Sequence, residues 1–98
     1  MILIFWTPKA RSERQAAINY IAKDNPLAAL DQLDQIEYQT SYLAERPKMG
    51  RLGRVRGTRE LVISGTPFIA VYRFKGSRIE ILCFLHGAQK WPTELSGA

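Results

Sequence analysis

The chain has 98 residues, enough to build one hydrophobic core but not two, and its 46 % apolar content is that of a globular domain rather than a disordered one. Fourteen Lys and Arg stand against nine Asp and Glu, a formal net charge of +5. That excess points away from a basic partner and toward an acidic one: nucleic acid, an acidic protein or an anionic membrane surface.

Residues 2–6, ILIFW, are β-branched and aromatic and predict a first strand. Five apolar residues after Met1, with no basic lead-in, are too few for a signal peptide or a transmembrane span, so the expectation is a cytoplasmic protein with no membrane association. Thr7 then caps a helix and Pro8 takes its first position, where a missing N–H costs nothing. Ala10, Ala17, Ile18, Ile21 and Ala22 recur at helical spacing and give that helix one apolar stripe. DNP at 24–26 stops it and starts a second helix, with Asn25 as cap. The second helix carries Leu30, Leu33, Ile36, Thr40 and Leu43 on one face and ends near residues 45–47. So short a join predicts an antiparallel helical hairpin.

Residues 46–57 hold three glycines, a proline and no acid, and read as a loop. Three strands follow at 58–64, 67–74 and 78–85, separated by GTP and KGS turns, which predicts an antiparallel meander. Phe68, Ala70 and Tyr72 alternate with Ile69 and Val71, so both faces of this sheet are apolar. The hairpin can cover one face. The other is either covered by the tail after His86 or left as a binding surface. The order is β-α-α-β-β-β, a single α+β domain over residues 1–98. Cys83, the only cysteine, lies in an apolar strand and reads as a small buried hydrophobe; no internal disulfide can form.

The densest chemical feature is RLGRVRGTREL, residues 51–61. Arg46, Lys48, Arg51, Arg54, Arg56 and Arg59 occur with no acid among positions 46–59. Guanidiniums spaced two or three residues apart in a glycine-containing loop can converge on phosphates or carboxylates. A solvated loop without a ligand is the alternative. His86, the only histidine, follows the last strand and has a side chain suited to proton transfer near neutrality, or serves as a structural imidazole. Tyr72 and Arg73 are adjacent on a strand and so point to opposite faces. Lys90 and Trp91 follow His86, where Trp91 caps the sheet or stacks on a base. One His and one Cys cannot build a metal site from the usual ligands, the glycines match no nucleotide-binding pattern, and no cofactor is called for.

WTPKAR opening a helix, YIAKDNP at the hairpin, RLGRVRGTREL, PFIAVYRF and ILCFLHGAQKW, taken in this order, resemble the RelE/ParE superfamily of bacterial type II toxins, from residue 2 to about residue 92. The resemblance implies the same β-α-α-β-β-β fold and a toxin neutralised by a cognate antitoxin. Within the superfamily, ParE-like members poison DNA gyrase and RelE-like members cleave messenger RNA on the ribosome. RelE-like ribonucleases place a catalytic arginine shortly before the VY of the central strand, and this chain has Ile69 there. Together with the GTREL…VYR…LH pattern, that departure implies a ParE-like gyrase inhibitor that is not itself an enzyme. Arg51, Arg54, Arg56, Arg59 and Trp91 would then form contacts to gyrase or DNA. The alternative implied is a ribosome-dependent endoribonuclease in which His86 is the general acid or base, Arg59, Arg73 and Lys90 supply cations, and Trp91 stacks on a base. A plain nucleic-acid-binding domain using the arginine loop is the third possibility.

Overall fold

In a computed structural model, described over residues 2–87, strand β1 (Leu3–Trp6) ends at Thr7, and that residue makes the first long-range connection. Its hydroxyl accepts the Ala10 N–H at 3.1 Å, capping helix α1 (Pro8–Asp24), and donates to the Leu82 carbonyl at 3.2 Å. Asn25 serves both helices. Its N–H closes α1 on the Ile21 carbonyl at 2.9 Å, while its side chain accepts the Ala28 N–H at 3.1 Å and opens helix α2 (Pro26–Ser41). One residue thus satisfies both helix ends and forces the predicted antiparallel hairpin. A short 3₁₀ turn, Tyr42–Ala44, completes the helical segment.

The sheet contains β2 (Arg51–Leu52), β3 (Thr58–Val62), β4 (Phe68–Lys75) and β5 (Arg78–His86), in the order β1-β5-β4-β3-β2. β2 to β5 pair antiparallel, and β1 joins the far edge parallel to β5. Two expectations need correction. Residues 51 and 52 are a short strand rather than loop, because Arg51 and Leu52 take up ladder positions opposite Glu60 and Arg59. The buried stripe of α2 runs through Ala29, Leu33, Ile36, Thr40 and Leu43, while Leu30 is 59 % exposed. Alternate steps of four and three residues keep one helix face toward the sheet, and position 30 lies roughly 100° away from position 29.

A register shift in the β4–β5 ladder sorts the side chains. Val71 faces Cys83 but Tyr72 faces Ile81, leaving Leu82 as an extra residue in β5. Ile79 and Ile81 on one side of this bulge, and Phe84 on the other, therefore all pack into the core with α1 and α2. Helix α1 grips the bulge from above: Thr7 takes the Leu82 carbonyl, and the Glu13 carboxylate accepts the Phe84 N–H at 2.9 Å. Cys83 and Leu85 turn to the opposite face and pack with Val71, Ile69 and Val55. Cys83 is fully buried, as its apolar setting predicts. The tail after Gly87, and with it the expected cover for this face, lies outside the described residues.

The open face also carries charge. Glu80, almost fully buried, accepts from Arg73 at 2.7 Å and from Arg78, and Glu60 accepts from Arg51 at 2.7 Å. Arg73, by donating directly to Glu80, holds that carboxyl below the ordinary carboxylate range despite the opposing effect of burial. A depressed carboxylate pKa contributes stability above the unfolded value of about 4.3 and loses it as the pH falls through the folded value. Melting temperatures measured from pH 7 to pH 3 are therefore expected to fall on the acid side in the wild type. Glu80→Gln should melt lower at pH 7 and show a flatter acid limb.

Candidate functional site

Six of the cations lie where α2 hands over to the sheet, and one phenol organises them. Tyr72 is fully buried in the helix-side core. Its hydroxyl nevertheless reaches the segment before β2, donating to the Pro47 carbonyl at 2.8 Å and accepting the Gly50 N–H at 2.9 Å. Position 50 must be glycine for this contact: a Cβ there would sit 2.7 Å from the Tyr72 ring and 2.8 Å from the Glu60 carbonyl. Arg59 stands opposite Tyr72 in the ladder and closes the clamp, donating to the Gly50 carbonyl at 2.7 Å and to the Lys48 carbonyl at 3.2 Å. Residues 47–50 are thus tied to the sheet by four hydrogen bonds from two side chains.

From this base the chain forms a tight β2–β3 connection. Gly53 N–H donates to the Thr58 carbonyl at 2.9 Å, and the Thr58 N–H and hydroxyl both return to the Val55 carbonyl. Gly57 turns the corner at φ 84°, a conformation that favours glycine. Val55 packs against the Val71–Cys83–Leu85 cluster, so its neighbours Arg54 and Arg56 are held exposed at the tip. The arginine-rich stretch is therefore a braced hairpin whose tip is exposed to solvent.

The candidate cations separate by role. Arg51 is engaged with Glu60, Arg59 is part of the clamp, and Arg54 and Arg56 crown the tip. Arg73 lies on the open face in its pair with Glu80, opposite in direction to Tyr72 as strand alternation requires. His86 lies at the far end of β5, edge-on to Phe68, with ring centroids 6.1 Å apart. It lines a largely apolar cavity of about 360 Å³ with Glu13, Ala16, Ala17, Tyr20, Phe68 and Phe84. Arg59 pairs with Tyr72 and His86 with Phe68, four residues along β4, so the two are separated by about 13 Å along the strand. Ile69 packs on the open-face cluster, an apolar side chain in an apolar setting. Lys90 and Trp91 lie outside the described residues. Among the described residues, no three His, Cys, Asp or Glu side chains gather as a metal site, and no helix is long and apolar enough to cross a membrane.

Reading the sequence alone missed the Tyr72 clamp. The alternation of β4 put Tyr72 in the core, but nothing in the spacing of residues 50 and 72 signals that they meet. Burial pushes the Tyr72 phenol up from its ordinary value, against smaller downward pulls from the Gly50 N–H and the Arg59 charge. The neutral phenol is thus favoured by folding, and its contribution is complete below about pH 10 and lost as the pH rises through the folded pKa. Tyr72→Phe is expected to cost about 1–3 kcal/mol in urea unfolding, because it strips the buried Gly50 N–H and the partly buried Pro47 carbonyl of their partner. The wild type should also lose stability above about pH 10 through this group, a loss that Tyr72→Phe lacks.

The chain matches the model of the family described as "ParE toxin of type II toxin-antitoxin system, parDE" over residues 4–91. It is 40 % identical over 92 residues to "Putative toxin Y4kP" of Sinorhizobium fredii, covering 94 % of this chain and 95 % of that protein. To "Toxin RelE2" of Caulobacter vibrioides it is 30 % identical over 89 residues, 91 % of this chain and 99 % of that one. The solved structure titled "Chromosomal ParDE TA system from P. aeruginosa" superposes with a TM-score of 0.79 at 30 % identity, covering 88 % of this chain and 96 % of its own. The element order derived from the residues and a family match across nearly the whole chain agree: this protein belongs to the ParE toxin family of type II toxin–antitoxin systems.

Proposed function

We propose that this toxin acts on DNA gyrase, as a binding inhibitor and not as a nuclease, and that a cognate antitoxin neutralises it. The observation that carries this reading is the dispersal of the groups that RNA cleavage would need to bring together. General acid–base catalysis requires the proton-transfer group and the phosphate-binding cations around one scissile phosphate, within hydrogen-bond reach. Here Arg73 is committed to Glu80 on the open face, Arg59 to two carbonyls, and His86 stands beside Phe68 at the far end of the sheet. Ile69 supplies no charge. What the chain does present together is Arg54 and Arg56 at the exposed tip of the hairpin, a geometry suited to docking on an acidic surface of gyrase or on DNA.

A second reading, a ribosome-dependent endoribonuclease, is supported by the 30 % identity to the toxin named RelE2 and by Arg59 and His86 sharing the helix-side face. Under it, ribosome and messenger RNA replace gyrase as partners and His86 is the proton-transfer group.

Plasmid supercoiling by purified gyrase separates the two. The wild-type protein is expected to inhibit at near-stoichiometric ratios, and His86→Ala to inhibit equally well. Arg54→Glu combined with Arg56→Glu is expected to raise the inhibitory concentration at least about tenfold, the size of effect typical of removing contacts at the centre of an interface. Absence of inhibition by folded protein, with translation arrest that His86→Ala abolishes, would overturn the gyrase reading in favour of the nuclease.

A further inference from the structure

Beside the clamp, on the same side of the sheet as the helices, lies a groove of about 300 Å³ lined chiefly by Pro47, Lys48, Leu52, Arg59 and Phe74. Two of its walls are large apolar side chains left bare: Leu52 is 76 % exposed and Phe74 49 % exposed. Both are fixed by ladder pairing, Leu52 opposite Arg59 and Phe74 opposite Ile79, so the apolar surface is preformed. Bare apolar surface of this kind, framed by charge, marks an interaction site.

We propose that this groove receives an apolar side chain of the cognate antitoxin, whose neighbouring carboxylates lie along Lys48 and the arginine tip. This rests on the toxin–antitoxin reading above and assigns the place and the chemistry of that contact. The charge of the rim selects the partner, for positions 46–59 hold six Lys and Arg and no acid, and Glu60 is neutralised by Arg51. The lining separates a protein from a nucleic acid. Arg59 Nη1 is already donated to the Lys48 and Gly50 carbonyls, and the Thr58 hydroxyl is donated to Val55. Leu52, Pro47 and Phe74 offer the apolar walls that an inserted Leu or Phe side chain fills, a shape that a base edge does not match.

The test uses the full toxin and its purified cognate antitoxin, with affinity measured by calorimetry. Leu52→Ser and Phe74→Ser are each expected to weaken binding at least about tenfold, as for an anchor pocket. Val62→Ser, at an exposed position on the opposite face, is expected to bind as the wild type does. Because Phe74→Ser could perturb β4, the melting temperature of every variant is measured, and a photo-crosslinking residue at the exposed position 52 gives an independent readout. It should capture the antitoxin next to an apolar residue flanked by acids. If the wild type binds the antitoxin and both serine variants bind equally tightly, the groove assignment is overturned while the toxin–antitoxin reading stands. If the wild type does not bind, both fall. Displacement of the antitoxin by oligouridine, with RNA affinity that depends on Leu52 and Phe74, would overturn the assignment in favour of a nucleic-acid site.

Discussion

The hydroxyl of Tyr72 is the point at which the core and the arginine-bearing edge of the molecule become one structure. Its ring is packed among the residues that α1 and α2 cover, and its oxygen holds both Pro47 and Gly50. A buried phenol must find partners for its oxygen, and the segment approaching β2 has backbone groups that need partners in turn. Each satisfies the other. As a result the hairpin that carries the arginines inherits its backbone orientation from the core, which lowers the cost of ordering that backbone on binding.

The same economy engages part of the chain's positive charge within the sheet. Arg51, Arg59, Arg73 and Arg78 are all engaged with carboxylates or carbonyls of the sheet. Glu60 and Glu80 sit almost fully buried between them, which is tolerable only because each is paired and hydrogen-bonded. The net charge of the chain therefore overstates the charge available to a partner. Lys48, Arg54 and Arg56 are exposed, and Lys48 shares a groove with bare Leu52 and Phe74. An apolar groove with a cationic rim is a different instrument from a phosphate-tracking patch, and it is more selective, because it rewards shape as well as charge.

The relatives place the chain among toxins, with names from both the ParE and the RelE branches. The fold is compatible with either chemistry, since function on a shared scaffold is decided by the side chains at a site. Here those side chains are distributed by one geometric device. The bulge at Leu82 turns Phe84 toward α1 and Cys83 and Leu85 away from it, and in the same stroke places His86 beside Phe68 and remote from Arg73. Without that extra residue, the apolar positions on either side of it could not all face the helices.

The order of elements was legible in the residues because the signals were local. Thr7–Pro8 and Asn25–Pro26 are start signals with a mechanism, and the structure shows both side chains accepting the N–H groups those signals imply. Alternation along β4 sent Tyr72 and Arg73 to opposite faces, as found. Two positions failed for non-local reasons. Leu30 fits a helical stripe as well as Ala29 does, and only the rotation of α2 against the sheet selects between them. Arg51 and Leu52 have no strand signature of their own and become strand because β3 offers them a ladder. The site divides in the same way. Its cations were visible as a run without acid, whereas the clamp joining Gly50 to Tyr72, the pairing of Arg51 and Arg73 with buried carboxylates, and the distance from His86 to the rest come from contacts made when the strands pair. Local preference and hydrophobic period are written residue by residue; which donors meet which acceptors is settled only when the sheet closes.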